Sequence, residues 1–409
     1  MNRRSAVAGG LIALGLGGRG AAQSARLRTL AEGLVGAGAA SPRSAVVRIE
    51  RMSGDVIFEA AAGEARPDTR ALMTAQTPFH HASVSKVCTA ILILQMAEAG
   101  AFGRRGIDAR FSELGVLDRD VQARLLRVDG RDVAPDITLR HLLTHTSGMR
   151  DAVVDDAERI GGPAPQSLMG GLLGPGRDPG KRWIAWDPRR PEDADAGVLN
   201  LYLARGMGLA GLSTPGARFH YSDTAFVLLA LLAERMGRAP YHELVRRRIS
   251  VPLGLSGLYV AYRDDPKALG PARSPEAEVW FGPRPLLSGG FSLSFDWGGG
   301  GTVSPARDLT RLWRGLAGGE LFRHRSTFDA MTSWTAPPGL AAPRTGVGLG
   351  LFRVAYPGGE LWGHSGAWGA RMWCDPQRKL VLAGTVNQVM ADGPWHFPFF
   401  AAAADEAKP

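Results

Sequence analysis

Hydrophobic positions follow two different periods along the chain. Residues 44–51 and 55–62 alternate between apolar and polar positions, which predicts a β-hairpin. Strand signals return in the C-terminal third, around residues 347–354, 361–362, 371–374 and 380–387. Helical signals dominate between the two regions. The pattern therefore predicts an α+β fold, an antiparallel sheet flanked by helices and built from both ends of the chain, with a mostly helical domain inserted.

The change of pattern also predicts domain boundaries. Residues 23–105 and 265–409 are assigned to the sheet domain and residues 106–264 to the helical domain, with the active site at their junction. Within the helical domain, residues 150–216 are rich in Gly, Pro, Asp and Arg. A connection of this length is uncommon unless it is functional or mobile. Two interpretations stay open, a surface insertion or a wall or lid of the substrate pocket.

One apolar helix carries the first candidate for catalysis. Residues 84–94 are apolar nearly all round, which is typical of a buried central helix. Ser83 comes three residues before Lys86, so the two side chains share one face of this helix. Burial disfavours the charged form of a lysine. We therefore expect a neutral Lys86 amine that can take the proton of Ser83.

A second candidate lies at the start of another apolar helix. This helix is predicted over residues 225–237, with Ser222 or Asp223 as its cap and Gly237 as its end. Tyr221 then lies on the loop that leads into the N-terminus of the helix.

A third candidate lies among the C-terminal strands. Residues 371–386 have the pattern of a β-hairpin that turns at residues 375–378. His364, Ser365 and Gly366 come shortly before this hairpin and are predicted to lie on a strand.

The three segments, in this order, resemble the signature boxes of the penicillin-recognising serine hydrolases. They form a Ser-x-x-Lys box at Ser83, a Tyr-Ser-Asp box at Tyr221 and a His-Ser-Gly box at His364. The resemblance is to the group that contains class C β-lactamases, D-alanyl-D-alanine carboxypeptidases, D-amino-acid amidases and family VIII esterases. Residues 139–149 and 298–309 are similar to two further segments of that group.

The resemblance extends over about residues 40–390 and implies a role for each box. Ser83 would be the nucleophile that forms an acyl-enzyme, and Lys86 and Tyr221 would share the proton transfers. The N–H groups of Ser83 and Ala367 would form the oxyanion hole. Which of Lys86 and Tyr221 is the base for acylation stays open. The fold implied by the resemblance is the one predicted from the pattern.

Two boxes differ from the usual pattern of the group. The second box usually ends in asparagine but here ends in Asp223, and the third is Lys-Thr-Gly in the β-lactamases but here is His364, Ser365 and Gly366. These four residues are expected to bind substrate. Histidine is mostly neutral near pH 7, and Asp223 adds a negative charge. We therefore expect weak binding of anionic β-lactams and better hydrolysis of a small ester or a D-amino-acid peptide or amide.

Three alternatives remain open. The chain could be a true class C-type β-lactamase, or a catalytically silent peptidoglycan-binding module. Residues 363–367 also fit a relaxed nucleophile elbow of α/β-hydrolases, which would make Ser365 the nucleophile. The elbow requires a helix directly after it, whereas strand signals follow here, and His396 is its one possible base downstream.

No metal and no cofactor are expected. His141 and His145 are four residues apart, but no glutamate lies between them in a His-Glu-x-x-His arrangement. Cys88 and Cys374 lie far apart in apolar stretches, which predicts buried thiols and no disulfide. The glycine run at residues 298–301 does not have nucleotide-binding spacing.

Composition and charge limit the possible partners. The 409 residues include 48 Lys and Arg against 39 Asp and Glu, a formal net charge of +9. The basic residues are mostly Arg and alternate with acids along the chain, so no nucleic-acid partner is expected. The expected partner is a small-molecule or peptide substrate, and the sequence leaves the oligomeric state open.

The first 22 residues predict a signal peptide. Arg3 and Arg4 form a basic start, residues 6–16 a short apolar stretch, and residues 20–22 a small-residue cleavage site. The stretch is too short and glycine-rich to span a bilayer. The paired arginines favour the twin-arginine route. We expect a periplasmic or secreted enzyme without stable membrane insertion after cleavage.

Overall fold

The computed structural model describes most of the chain. The described residues are 20–36, 38, 41–156, 167–173, 178–264, 275–389 and 394–406. Residues 1–19 of the predicted signal peptide lie outside the described residues. Among the helices that the structure describes, none combines the length and the apolar character needed to cross a bilayer.

Strands from both ends of the chain form the central sheet. The strands are β1 (Ser44–Arg51), β2 (Val56–Arg66), β3 (Ala71–Leu72), β4 (Phe79–His80), β5 (Arg127–Val128), β6 (Arg131–Asp132), β7 (Tyr259–Val260), β8 (Trp280–Phe281), β9 (Arg284–Pro285), β10 (Thr302–Ser304), β11 (Arg344–Val347), β12 (Phe352–Tyr356), β13 (Gly359–Ser365), β14 (Arg371–Asp375) and β15 (Leu380–Thr385). The main sheet is antiparallel and has the order β11-β12-β13-β14-β15-β1-β2-β3. The predicted α+β fold is confirmed.

Helices cover the sheet and fill the middle of the chain. They are α1 (Gly20–Glu32), α2 (Lys86–Glu98), α3 (Arg119–Gln122), α4 (Leu139–Leu143), α5 (Leu168–Leu173), α6 (Val198–Ala204), α7 (Asp223–Gly237), α8 (Tyr241–Val245), α9 (Val251–Leu253), α10 (Trp297–Gly300), α11 (Ala306–Ala317), α12 (Arg325–Met331) and α13 (Phe397–Glu406). A short 3-10 helix, Ala82–Ser85, runs directly into α2. The strand β10 lies between β4 and β7 in a small three-stranded sheet.

The main sheet is buried on both faces. All six residues of β15 are buried, and successive side chains of a strand point to opposite faces. Leu382 packs in one cluster with Phe399 of α13, whereas Val381 packs in the other with Leu312 of α11. The terminal helices α1 and α13 therefore cover one face, and α11 covers the other. Cys88 and Cys374 are buried free thiols, as predicted.

The C-terminal strands differ from the prediction at one place. The region predicted as a single strand around residues 347–354 is a hairpin of β11 and β12. The Gly348 N–H donates to the Leu351 carbonyl over 2.9 Å and turns the chain between the two strands. The alternating pattern continues through this turn, so periodicity alone did not show it.

The end of α7 also needs a correction. The helix ends at Gly237 as predicted, but Arg238 is the residue in the left-handed conformation, with φ of 49°. Gly237 is needed for packing instead, because a Cβ atom there would lie 2.6 Å from Cδ2 of Leu244.

Candidate active site

Ser83 and Lys86 meet where the 3-10 helix runs into α2. In a 3-10 helix, side chains three residues apart are eclipsed, and here Lys86 Nζ donates to Ser83 Oγ over 3.1 Å. Ser83 is partly exposed and lines a cleft, whereas Lys86 is 0% exposed. A substrate can therefore reach the hydroxyl, while the amine lies behind it in the protein.

Two further acceptors surround the Lys86 amine. Lys86 Nζ donates to Asp223 Oδ1 and, over 2.8 Å, to the carbonyl of Gly299. Burial by itself would lower the pKa of Lys86, but the nearby negative groups, Asp223 first among them, outweigh burial and raise it. The expectation of a neutral amine is therefore wrong for the resting protein. Lys86 is an ammonium ion paired with Asp223, a residue 137 positions away.

The ion pair also changes the expected role of Asp223. The sequence predicted that this carboxylate would add a negative charge to the substrate site. Asp223 does line the cleft, but the Lys86 ammonium compensates its charge. The premise of an unbalanced negative charge is therefore wrong.

Tyr221 lies near the Ser83 and Lys86 pair, just before the N-terminus of α7. Ser222 caps this helix, as predicted, because its hydroxyl accepts the N–H of Ala225 over 3.1 Å. Lys86 Nζ lies 5.0 Å from the centroid of the Tyr221 ring. Burial raises the pKa of Tyr221 to about 12, although the Lys86 ammonium acts in the opposite direction. Tyr221 is therefore a neutral phenol at physiological pH in the resting site.

His364 is buried and neutral. Its Nδ1 donates to the Ser365 carbonyl over 2.8 Å, so Nε2 is the free acceptor, with no hydrogen-bond partner in the described part of the chain. Burial, together with the Lys86 charge, lowers the pKa of His364 to about 3. The prediction of an uncharged third box is confirmed. His364 and Ser365 lie on β13 as predicted, while Gly366 lies just beyond the strand.

Gly366 brings the third box against the segment before Ser83. A Cβ atom on Gly366 would lie 2.1 Å from the His81 carbonyl oxygen and 3.0 Å from Ala82 Cβ. Only glycine allows this approach to the residues before Ser83. The backbone N–H groups of Ser83 and Ala367 have no backbone acceptor among the described residues, and both residues line the cleft. The two N–H groups are therefore available to a substrate oxygen.

A cleft of about 610 Å³ unites the predicted residues. Its lining includes the predicted nucleophile, the second-box residues and the third-box residues, namely Ser83, Tyr221, Asp223, His364, Ser365, Gly366 and Ala367. Lys86 is the one predicted site residue outside the lining, and it lies directly behind Ser83. The structure thus brings together residues that are up to 284 positions apart (83 to 367).

The region at residues 150–216 contributes a wall of this cleft. Val154 is among the lining residues. Asp151 accepts the backbone N–H of Thr224 over 2.9 Å, and Asp155 pairs with His220 Nε2 at 2.7 Å. These contacts attach the segment to both sides of the Tyr221 loop. Of the two open interpretations, the position of Val154 favours the pocket wall for residues 151–156.

The glycine run at residues 298–301 supports the site from behind. Thr89 Oγ1 donates to the Gly298 carbonyl over 2.6 Å, and Lys86 Nζ donates to the Gly299 carbonyl. A Cβ atom on Gly298 would lie 2.3 Å from Ala230 Cβ. The absence of side chains therefore lets α10 pack closely against α2 and α7, and one of its carbonyls, that of Gly299, binds the lysine.

Sequence reasoning missed Asp296. This buried carboxyl comes directly before α10. Burial and the charge of Asp223 raise the pKa of Asp296 to about 7. No local signal marks Asp296 in the sequence, since only the packing of α10 against α7 and α2 brings it near the ion pair.

The two histidines considered as a metal pair each bind a different backbone N–H group. His141 Nδ1 accepts the Thr138 N–H at the start of α4, whereas His145 Nδ1 accepts the Ser222 N–H. The nucleophile elbow is wrong, because a turn and the strand β14 follow Ser365 in place of a helix. The Ser365 hydroxyl accepts the indole N–H of Trp373 over 3.2 Å.

Comparisons with known proteins identify the family of this chain. The sequence model of the Beta-lactamase family matches residues 43–396. Penicillin-binding protein 4* of Bacillus subtilis (strain 168) is 24% identical over 203 residues, which is 50% of this chain and 35% of that protein. The alignment therefore spans about a third of the length of that relative.

Solved structures share the fold over nearly the whole chain. A D-stereospecific amidohydrolase from Streptomyces sp. has a TM-score of 0.68 and 24% identity, covering 93% of this chain and 98% of its own. EstCE1, a hydrolase with promiscuous acyltransferase activity, has a TM-score of 0.65 and 22% identity, covering 94% and 98%. Because the family model covers most of the chain, the chain belongs to the Beta-lactamase family.

Proposed function

We propose that this protein forms an acyl-enzyme on Ser83 and hydrolyses an ester or an amide, either a small ester or a D-amino-acid peptide or amide. The hydrogen bond from the buried Lys86 ammonium to the Ser83 hydroxyl carries the proposal. It joins a reachable nucleophile to a shielded cation at the bottom of a cleft. A positive charge beside the hydroxyl favours its ionised form.

Acylation requires the Ser83 proton to leave as the oxygen attacks the substrate carbonyl carbon. An ammonium ion cannot accept this proton. We infer that Lys86 first passes a proton to Asp223 along their hydrogen bond, and the neutral amine then takes the proton of Ser83. The leaving group receives a proton from Lys86 or Tyr221, and water later hydrolyses the acyl-enzyme. General acid–base steps of this kind contribute about 10²–10⁴-fold in rate.

The N–H groups of Ser83 and Ala367 act on the other side of the substrate carbonyl. They donate to the oxygen as it gains negative charge, and one such donor is worth about 3–4 kcal/mol of barrier. Neutral His364 borders the same space with Nε2 as an acceptor. It suits a donor group on the substrate, such as the N–H of an amide.

The similar proteins support this range of substrates. One is named a D-stereospecific amidohydrolase and another a hydrolase with acyltransferase activity, and both names fit an acyl group held on a serine. A class C-type β-lactamase remains the alternative activity. A silent peptidoglycan-binding module is disfavoured, because Ser83, Lys86 and Tyr221 are all present around an open cleft.

We further propose that the enzyme acts in the periplasm or outside the cell after removal of residues 1–22. The basic start at Arg3 and Arg4, the short apolar stretch and the small residues before position 23 support this location.

Labelling with a fluorophosphonate tests the proposed function. The probe should attach to Ser83, and Ser83→Ala should abolish labelling and turnover while the protein stays folded. Ser365→Ala is the matched control, because Ser365 lines the same cleft, and it should keep the label. Recovery of the label on Ser365 would contradict the proposal. Comparing kcat/KM for nitrocefin, a nitrophenyl ester and a D-alanyl amide separates the hydrolase from the β-lactamase alternative, which requires nitrocefin to be the best substrate.

A further inference from the structure

The residue before the nucleophile has a strained backbone. Ala82 has a φ of 46°, in the left-handed region that residues other than glycine rarely adopt. A strained residue of this kind persists only where the surrounding structure fixes it, and such residues cluster at active sites. The contacts of the turn from His81 to Ser85 therefore show what holds Ser83 in place.

One buried residue binds both ends of this turn. Thr302, on β10, is 0% exposed. Its carbonyl accepts the backbone N–H of His81 over 3.0 Å, and its backbone N–H donates to Ser85 Oγ over 3.0 Å. Its Oγ1 lies 2.9 Å from His81 Nδ1 and 2.6 Å from Ser85 Oγ. The residues two positions before and two positions after Ser83 are therefore bound to the same threonine.

The hydrogen bonds of this network run in one direction. Ser304 Oγ donates its hydrogen to the Pro305 carbonyl over 3.0 Å, so it accepts from His81 Nε2 at 3.0 Å. Burial lowers the pKa of His81 to about 3, so the ring is neutral and its Nδ1 accepts the Thr302 hydroxyl. The Thr302 oxygen in turn accepts the Ser85 hydroxyl. Each of the three hydroxyls donates once and accepts once, and a buried network that is satisfied in this way is rigid.

The strained turn carries a group that the proposed reaction needs. The planar peptide between Ala82 and Ser83 contains the Ser83 N–H, so the backbone angles of Ala82 set the direction of this donor. The His81 carbonyl accepts the Val84 N–H over 3.3 Å and lies against Gly366 of the third box. A displacement of about 1 Å at a catalytic group can reduce the rate about 10²-fold. A change at Ala82 would therefore misdirect the Ser83 N–H.

Building on the proposed acyl-enzyme, we propose that Thr302 is a positioning residue for Ser83. Thr302 binds His81 and Ser85 and so holds Ala82 in its left-handed conformation. This conformation directs the Ser83 N–H towards the substrate oxygen. Thr302 is not among the described residues that line the cleft, so it acts through the turn and not through a contact with substrate.

Thr302→Val tests the proposal, because it removes the hydroxyl and keeps the shape of the side chain. The rate of fluorophosphonate labelling and the final amount of label per protein are measured together, with kcat and KM for a nitrophenyl ester. The variant should lose about 10-fold or more in labelling rate and in kcat. KM and the final amount of label should change little. Thr302→Ser keeps the hydroxyl and should recover most of the rate.

Thr310→Val is the matched control. Thr310 is also 0% exposed, but its hydroxyl donates to the Arg307 carbonyl within α11, so its loss should leave the labelling rate unchanged. A wild-type labelling rate in Thr302→Val would overturn the proposal. So would a smaller final amount of label at an unchanged rate, because Thr302 would then support folding alone. If Thr302→Val does not fold, Ser85→Ala decides by the same rate, because it removes the hydroxyl on the other side of Ser83.

The backbone of the variant separates this proposal from the proposed hydrolase. If fluorophosphonate does not label Ser83 in the wild type, the proposed function fails. Crystal structures of the wild type and of Thr302→Val then compare the φ angle of Ala82. A positive φ in the wild type and a negative φ in the variant support the hold of Thr302 on the turn independently of turnover. The same φ in both proteins overturns it.

Discussion

His145 stacks on Tyr221, with ring centroids 4.2 Å apart and 25° between the planes. His145 Nδ1 accepts the backbone N–H of Ser222 over 3.1 Å, so one ring contacts the tyrosine and also holds the residue after it. Burial, followed by the Lys86 charge, keeps the pKa of His145 well below its usual value. A neutral ring therefore fixes Tyr221 beside the Ser83 and Lys86 pair without adding a charge.

His145→Ala should reduce kcat by about 10-fold or more and change KM little, because it removes the stack and the acceptor that position Tyr221. It should also lower the free energy of unfolding by about 1–3 kcal/mol, since the Ser222 N–H loses its acceptor. Steady-state kinetics and urea unfolding measure the two effects. His141→Ala is the control from the same segment and should leave kcat unchanged. A loss of stability with full kcat would show that His145 has a structural role alone.

Asp223→Asn should make kcat/KM rise more steeply with pH than in the wild type. Without the carboxylate, Lys86 has no acceptor for its proton and can act as a base only when it is already neutral. The substitution also removes the charge that raises the pKa of Lys86, while burial, which lowers it, remains. Ester hydrolysis from pH 6 to pH 9 measures the ratio of variant to wild-type kcat/KM. Asp329→Asn changes an exposed acid paired with Arg325 and should give a constant ratio. A constant ratio in Asp223→Asn would show that Asp223 does not accept the proton of Lys86.

Acid should destabilise the protein through its buried neutral histidines. The folded pKa values of His81 and His364 are about 3, below the ordinary histidine value of about 6.5. Between these values the unfolded chain binds a proton that the folded protein does not. The free energy of unfolding is therefore highest above about pH 6.5 and falls as pH drops towards 3, by about 1.4 kcal/mol per pH unit for each group.

Denaturant unfolding from pH 7 to pH 4 measures this slope. His364→Gln should reduce the slope by the contribution of one histidine, about 1.4 kcal/mol per pH unit. His324→Gln, at an exposed position, should keep the wild-type slope. The same slope in His364→Gln and wild type would mean that His364 is protonated in the folded protein.

Replacing Arg3 and Arg4 together by Lys should trap the precursor in the cytoplasm, because the twin-arginine route requires the arginine pair. Cell fractionation followed by detection of the uncleaved chain measures this. Arg26→Lys, a change beyond the predicted cleavage site, is the control and should be exported normally. Normal export of the double variant would leave the general secretory route.

Much of the fold and the contact between Ser83 and Lys86 were predictable because their signals are local. The strand over Ser44–Arg51 follows from alternation, and Ser222 is a cap because it precedes an apolar run. Ser83 and Lys86 meet because residues three apart share a face of one helix. Each of these relationships depends on a few neighbouring residues.

The charges of the site depended on tertiary structure. Lys86 is an ammonium ion because α7 brings Asp223 to it, and the contribution of Asp296 depends on the packing of α10. Hydrophobic period and capping act between neighbours in the chain, whereas a pKa depends on burial and on charges close in space. The sequence therefore determined which side chains could react, and the packing of distant segments decided their charge and what they face.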